Sequence, residues 1–291
     1  MTGAAIFLNQ GAGSARTDRV GRMVDLARRA MDADLHVAAS RDPDEVEAWL
    51  SSEFARYDTV VVVGGDGSLR VGLNVASSFP DLTLGFIPGG FGNAAAHLLG
   101  YPSDPEGIVK VLAAADSRAV DLIEVDGRLS LFAGAGVDAE AAGRYARGGS
   151  SGILGWGLAL AGTAGALVHR GQVEVIADDW SVHRGPFTML VVSTTPFYGR
   201  GLKVNPGARP TAGRLSLRVY PGPLPGFLTE TARWAAGAAP RARRVDATHV
   251  TLRSLDARPI PVQIDGDLIG SRDVWEFGLR REAVRLIGRW D

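Results

Sequence analysis

The sequence predicts an α/β domain built on a doubly wound parallel sheet, residues 1–121, followed by a β-rich, sandwich-like domain, residues 122–281; the closing segment 282–291 is able to return to the first. Three observations predict this. Up to Asp121 the chain alternates apolar runs of strand length with segments of helical spacing. After Asp121 short apolar or alternating runs follow one another, separated by Gly, Pro and Asp. A chain of 291 residues, 46% hydrophobic and 22% charged, has the length and apolar content for two ordinary cores.

In the first domain, Ala4 to Asn9 is an apolar run that ends in a Gly-rich turn. Asp18 to Asp32 then carries helical spacing through Val20, Met23, Val24, Leu26, Ala27 and Ala30. Leu35 to Ala39 is a second strand. Asp42 or Asp44 caps the next helix, with Pro43 in its first turn. Thr59 to Val63 is almost purely β-branched, as expected of a strand buried on both faces of a parallel sheet. Thr83 to Ile87 is another such strand, followed by a helix-like Ala94 to Leu99. Strand and helix alternating at this spacing argue for the doubly wound sheet.

The second domain offers strands at Leu129 to Ala133, Val173 to Ala177, Phe187 to Ser193, Leu215 to Tyr220, Val250 to Ser254 and Pro261 to Ile264. Helices are expected around Ile153 to Val168 and Leu228 to Ala238, and a last strand at Ala283 to Ile287.

Composition excludes several classes of function. A net charge of -1 gives no global field for nucleic acid, which is not expected as a partner. The absence of cysteine removes disulfides, thiolate metal sites and cysteine nucleophiles. No basic stretch precedes the first apolar run, so no secretory signal is expected and the chain reads as cytoplasmic. The uncharged stretch Ile153 to Val168 falls short of the ~20 residues of a spanning helix. The only lysines are Lys110 and Lys203, and neither follows a Gly-rich loop as the P-loop and protein-kinase signatures require.

The strongest local signal is Gly64-Gly65-Asp66-Gly67-Ser68 at the end of a buried strand, with a helix expected from Ser68 or just after. Glycines let the backbone turn sharply and approach a ligand, and a helix N-terminus presents amides and partial positive charge to a phosphate. Asp66 there either orients a ligand or caps the turn. A second such turn, Pro88-Gly89-Gly90-Phe91-Gly92-Asn93, and a third, Asn9-Gln10-Gly11-Ala12-Gly13-Ser14, end strands on the same sheet edge, where α/β ligands bind. Late in the chain, Gln263-Ile264-Asp265-Gly266-Asp267 places two carboxylates around a glycine: a candidate general base pair projecting to one side of a turn, or an ordinary Asp-Gly hairpin.

Taken in order, these segments resemble the diacylglycerol kinase catalytic family, which also includes bacterial lipid kinases and sphingosine kinases. Asn9 to Gly13 is similar to its opening Asn-Pro-x-x-Gly, Gly64 to Ser68 to its Gly-Gly-Asp-Gly-Thr, and Pro88 to Asn93 to its Pro-x-Gly-Thr-x-Asn. Phe132-Ala133-Gly134-Ala135-Gly136-Val137-Asp138-Ala139 resembles Phe-x-x-x-x-Gly-Phe-Asp-Ala, and Gln263 to Asp267 resembles the closing Gln-x-Asp-Gly-Glu. The resemblance implies a fold of the lipid-kinase and NAD-kinase type, with ATP and Mg²⁺ as cofactors. It implies nucleotide contacts at Asn9, Gln10, Gly11, Ala12, Gly13, Ser40, Gly64, Gly65, Asp66, Gly67, Ser68, Gly90 and Asn93. The catalytic carboxylates would be Asp267, Asp265 and Asp66, with Asp267 taking the proton of a lipid hydroxyl that enters between the domains. A lipid or other hydroxyl-bearing substrate follows. Peripheral contact with a membrane, through anionic heads on Arg233, Arg241, Arg243 and Arg244, and a homodimer are both compatible with it.

The chain departs from the family pattern at four places. Phe91 stands for Thr, Ala94 for Asp, Val71 for Glu, and Ala212 for the Asp that supplies a structural Mg²⁺ ligand in many bacterial members, so no structural metal site is expected. These departures motivate an alternative, a pseudokinase that binds lipid or nucleotide without transfer. A kinase for a non-lipid alcohol and an NAD-kinase-like enzyme are further readings. Gly134-Ala135-Gly136-Val137-Asp138-Ala139 also fits Gly-x-Gly-x-x-Ala, but no acidic ribose partner follows at the required distance. The five histidines show no metal-ligand spacing.

Overall fold

The computed structural model describes residues 3–10, 17–40, 42–90, 92–148, 162–163 and 171–290. Contacts divide the chain into two compact units: Met1–Asp121 with Gly199–Gly201 and Arg281–Asp291, and Leu122–Tyr198 with Leu202–Arg280.

The first unit is an α/β domain. Strands β1 (Ala4–Asn9), β2 (Asp34–Ala38), β3 (Thr59–Gly64) and β4 (Thr83–Pro88) run parallel in the order β2-β1-β3-β4. The end of the last strand, β16 (Val274–Ile287), adds in parallel beyond β4, with Arg285 opposite Thr83 and Leu286 opposite Leu84. Because side chains alternate along a strand, both faces of β3 are apolar and both are covered. On one face α1 (Asp18–Met31) and α5 (Pro105–Ala114) set Val20, Met23, Val24, Ile108 and Leu112 against Ile6, Val61, Val63 and Ile87. On the other, α2 (Pro43–Phe54) packs on α3 (Asp66–Ala76), and Phe7 stacks among Trp49, Phe54 and His36. Thr17, Asp42 and Asp104 accept first-turn amides of α1, α2 and α5, so Asp42 is the cap of the second helix rather than Asp44. Helix α3 starts at Asp66, earlier than the Ser68 expected. Helix α5 and strand β5 (Ser117–Val125) had not been anticipated.

The second unit is an antiparallel β sandwich. One sheet contains β12 (Arg244–Ala247), β11 (Leu215–Tyr220), β10 (Met189–Ser193), β7 (Phe132–Gly136), β14 (Ile260–Ile264) and β15 (Asp267–Arg272), in that order. The other brings β13 (His249–Ser254) between the first part of β16 and β8 (Gln172–Ala177), with β9 (Trp180–Pro186) at its margin. Their inner faces share one core: Ala133, Leu190, Leu217 and Val262 from the first, Val175, Val250, Leu252, Trp275 and Phe277 from the second. Strand β6 (Arg128–Ser130) pairs with β5. Two helices lie in this unit, α6 (Val137–Arg147) and α7 (Leu224–Ala235), the latter beginning and ending earlier than expected. The helix expected at Ile153 to Val168 lies outside the described residues except for Gly162 and Thr163. Among the described residues no helix is long and apolar enough to cross a membrane.

Candidate active site

The glycine turns of the first unit follow from its strand register. Leu8 pairs with Val63 and Gly64 with Pro88, so β1, β3 and β4 reach their carboxyl ends side by side. The Gly89 amide donates to the Gly64 carbonyl at 2.7 Å, tying the second and third strand ends together. Beyond that tie the two turns touch: a Cβ built on Gly90 would come 2.5 Å from the Gly65 Cα. Asn93 closes the Gly90 turn, its Oδ1 accepting from the Gly90 amide at 2.9 Å and its Nδ2 donating to the Gly90 carbonyl at 2.6 Å. Asn93 does this from a left-handed backbone, φ 45°, a conformation that Asn tolerates better than most residues. Gly65 is the N-cap of α3 and supplies no side chain, so the first-turn amides at Asp66, Gly67 and Ser68 have no side-chain cap.

Asp66 does not cap its own helix. Its carboxylate accepts from the amides of Ala94 (3.2 Å) and Ala95 (3.3 Å), at the N-terminus of the short helix α4 (Ala94–Leu98). Burial raises the Asp66 carboxyl above the usual carboxylate range, while the Ala94 and Ala95 amides and His97 pull it back down. At the β1 end, Asn9 Nδ2 donates to the Ser40 carbonyl at 2.8 Å and the Gln10 amide to the Ala38 carbonyl at 2.8 Å. The Ser40 hydroxyl donates to Glu45 at 2.6 Å and accepts from the Asp42 amide at 3.0 Å. The first unit thus brings Asn9, Gln10, Ser40, Gly64 to Ser68, Gly90 and Asn93 to one edge; Gly11, Ala12, Gly13 and Phe91 lie outside the described residues.

In the second unit, Asp265 and Gly266 are the two central residues of the hairpin turn joining β14 to β15, with φ of 47° and 93°. The two carboxylates do not project alike, as the turn had suggested. Asp265 is buried, its Oδ1 accepting the Phe132 amide at 3.3 Å and its own amide donating to the Phe132 carbonyl at 3.1 Å. Asp267 is exposed at the first position of β15. Beneath the turn lies a polar cluster that sequence reasoning did not single out as a site. Tyr198 Oη donates to Asp138 Oδ2, and Gln263 Nε2 donates to the same oxygen at 2.8 Å and to Tyr198 Oη. Gln263 Oε1 accepts from the Gly266 amide at 2.7 Å. Burial pushes the Asp138 carboxyl up to about 6, against the bonds from Tyr198 and Gln263, and drives the Tyr198 hydroxyl well above its ordinary value. Asp138 and Gln263 stood inside quoted motifs, whereas nothing in the sequence near Tyr198 marked it.

The chain is similar to known proteins in sequence over its first part and in fold. Residues 3–125 match the diacylglycerol kinase catalytic domain. Two crystal structures from Bacillus anthracis str. Sterne, one described as of "a putative diacylglycerol kinase" and the other as of a diacylglycerol kinase, share the fold. One has a TM-score of 0.78 at 18% identity, covering 99% of this chain and 95% of that one. The other has a TM-score of 0.75 at 18% identity, covering 99% and 97%. No curated protein matches by sequence.

Within the matched residues 3–125, two of the four departures fall on described, buried positions. Val71 lies in α3 and Ala94 in the first turn of α4. Ala212, in the second unit, is exposed in a turn before β11, its amide donating to the Arg209 carbonyl at 3.2 Å. Of the arginine cluster, Arg233 donates to the Ala239 carbonyl at 2.7 Å and Arg244 pairs with Asp246 at 2.8 Å; the side chains of Arg241 and Arg243 are exposed.

Proposed function

We propose that the chain is an ATP-dependent phosphotransferase that moves the γ-phosphoryl group of ATP to a hydroxyl of diacylglycerol or a related lipid. The observation that carries this reading is the junction of β3 with α3. There a residue without a side chain caps a helix whose first-turn amides have no side-chain acceptor, and the Gly90 backbone closes over it. Such a junction suits the phosphates of a nucleotide, because amides and the positive end of the helix face the same way. In this reading Asn93 and Asp66 are the braces of the phosphate turn. Asn93 fixes Gly90, and Asp66 ties α4 to the start of α3.

Bound Mg²⁺ would neutralise phosphate charge during transfer. Among the described residues there is no group of three His, Cys, Asp or Glu that could cage a metal. Asp267, exposed and one methylene shorter than the family motif's Glu, takes the acceptor's hydroxyl proton, while Asp265 is occupied in holding the turn. Arg241 and Arg243 are the candidates for contact with anionic lipid heads.

A second reading, a non-catalytic protein that binds nucleotide or lipid, draws on Val71 and Ala94, which put apolar groups where the family motif has carboxylates. One experiment separates the two. Transfer of labelled γ-phosphate is measured over diacylglycerol, a sphingoid base, a polyprenol and a polar alcohol, for the parent and for Asp267→Asn. Transfer to one class that disappears in the variant supports the kinase and its base; equal transfer by both removes Asp267 from that role; no transfer to any acceptor leaves the non-catalytic reading standing.

A further inference from the structure

We infer that Asp138, Tyr198 and Gln263 form a positioning network that holds the Asp265–Gly266–Asp267 turn, an inference that rests on the reading of Asp267 as proton acceptor. Gln263 is the coupler. Both N–H groups of its amide are used, one on Asp138 Oδ2 at 2.8 Å and one on Tyr198 Oη, and its oxygen receives the Gly266 N–H at 2.7 Å. The amide cannot be reversed without setting an NH₂ group against the Gly266 N–H and a carbonyl against the Asp138 carboxyl. The state of Asp138 and Tyr198 therefore reaches the backbone of the turn through one rigid side chain.

Asp265 and Gly266 sit at φ 47° and 93°, the left-handed pair that Asp-Gly favours in a two-residue hairpin, and bonds to neighbouring strands fix where that turn lies. The bonds that hold it include the two between Asp265 and Phe132, and that of Gly266 to Gln263. The network below is buried, with Gln263 1% and Asp138 8% exposed, and each of its donors has a partner. A buried polar network in this condition favours one arrangement over its neighbours. Gly134 leaves the room it occupies: a Cβ there would overlap Asp138 Oδ2 and crowd Gln263 and Tyr198 at 2.7 Å each. The raised Tyr198 hydroxyl keeps its proton at neutral pH, so it stays a donor to Asp138. A purely structural cluster would affect stability alone; a positioning network also moves the turnover of the residue it places.

The test uses the full chain, Gln263→Leu and Tyr198→Phe, with two readouts. The first is exchange of the Gly266 amide proton, followed by NMR on ¹⁵N-labelled protein. The second is kcat and KM for ATP in phosphoryl transfer to the best acceptor. In Gln263→Leu the Gly266 amide exchanges at least about tenfold faster. Its kcat falls about tenfold or more while KM for ATP holds, because the nucleotide turns are untouched. Tyr198→Phe keeps the Gln263 link to Gly266 but removes one anchor, and gives the same changes in smaller measure. Parent-like protection of Gly266 in either folded variant overturns the network; so does faster exchange with unchanged kcat. If the parent transfers no phosphate, the exchange readout alone decides the network, and the failure belongs to the reading of Asp267.

Discussion

Gly65 and Gly90, on turns from neighbouring strands, are in backbone contact: a Cβ on Gly90 would lie 2.5 Å from the Gly65 Cα and 3.0 Å from Asn93 Oδ1. The obstacle is main chain, which cannot swing aside as a long side chain does. Gly90→Ala is therefore expected to destabilise the protein by about 1–3 kcal/mol, the usual range for overpacking. It should also abolish any stabilisation by Mg-ATP. Denaturant unfolding of parent and variant, with and without nucleotide, measures both. An alanine variant as stable and as responsive as the parent would contradict the contact.

Asp66 caps a helix that is not its own, through Ala94 and Ala95. Asp66→Ala leaves two amides at the start of α4 without their acceptor and should cost about 1–2 kcal/mol. Asp66→Asn keeps one accepting oxygen and should fall between alanine and parent. Urea midpoints of the three proteins check the order; indistinguishable midpoints would rule out the cap.

Ligand binding to the folded state alone must raise stability, by about 2.7 kcal/mol at a hundred times the dissociation constant. Millimolar Mg-ATP is expected to raise the melting temperature, and inorganic phosphate to raise it less. A melting temperature indifferent to both would favour the non-catalytic reading.

Burial lifts the Asp138 carboxyl from 3.8 to about 6. The folded state thus holds this proton more tightly than the unfolded chain does. The resulting contribution to stability is fully present below 3.8 and is lost as pH rises through about 6. Relative to the parent, Asp138→Asn should gain on the order of 3 kcal/mol on going from about pH 4 to about pH 7.5, on top of a constant offset for altered hydrogen bonds. Unfolding of both proteins across that range measures the difference; a flat difference means that Asp138 titrates normally.

The parts of the fold that were legible in the sequence are those whose physics is local. β3 and β4 are unbroken apolar runs ending in glycine because both faces are covered, and α1 announces itself by its spaced apolar residues. By contrast β9 and β15 are largely exposed, so no buried face imposed a clear period-two pattern on them, and β12, at four residues, is too short for the alternation of its inward Val245 and Ala247 to stand out. The glycines at 65 and 90 were legible as a place of close backbone approach because touching main chains exclude side chains. Asp66 was legible as important but not as the cap of α4, since its partners lie 28 and 29 residues away. The cluster under the Asp265–Gly266 turn was beyond reach. Asp138 meets Tyr198 across 60 residues and Gln263 across 125, and although Asp138 and Gln263 stood in quoted motifs, nothing local joined them to each other or to Tyr198.

The strand that completes the first sheet beside β4 comes from far along the chain, at Arg285 and Leu286. A nascent polypeptide therefore emerges with the backbone of β4 open on that side, until the ribosome has finished nearly all of the second unit. A fragment cut after Asp121 would keep that raw edge for good and would lack Leu286 and Ile287, both fully buried. Excising the first unit by gene truncation is thus a poor way to obtain it, because its sheet is completed only by residues far along the chain.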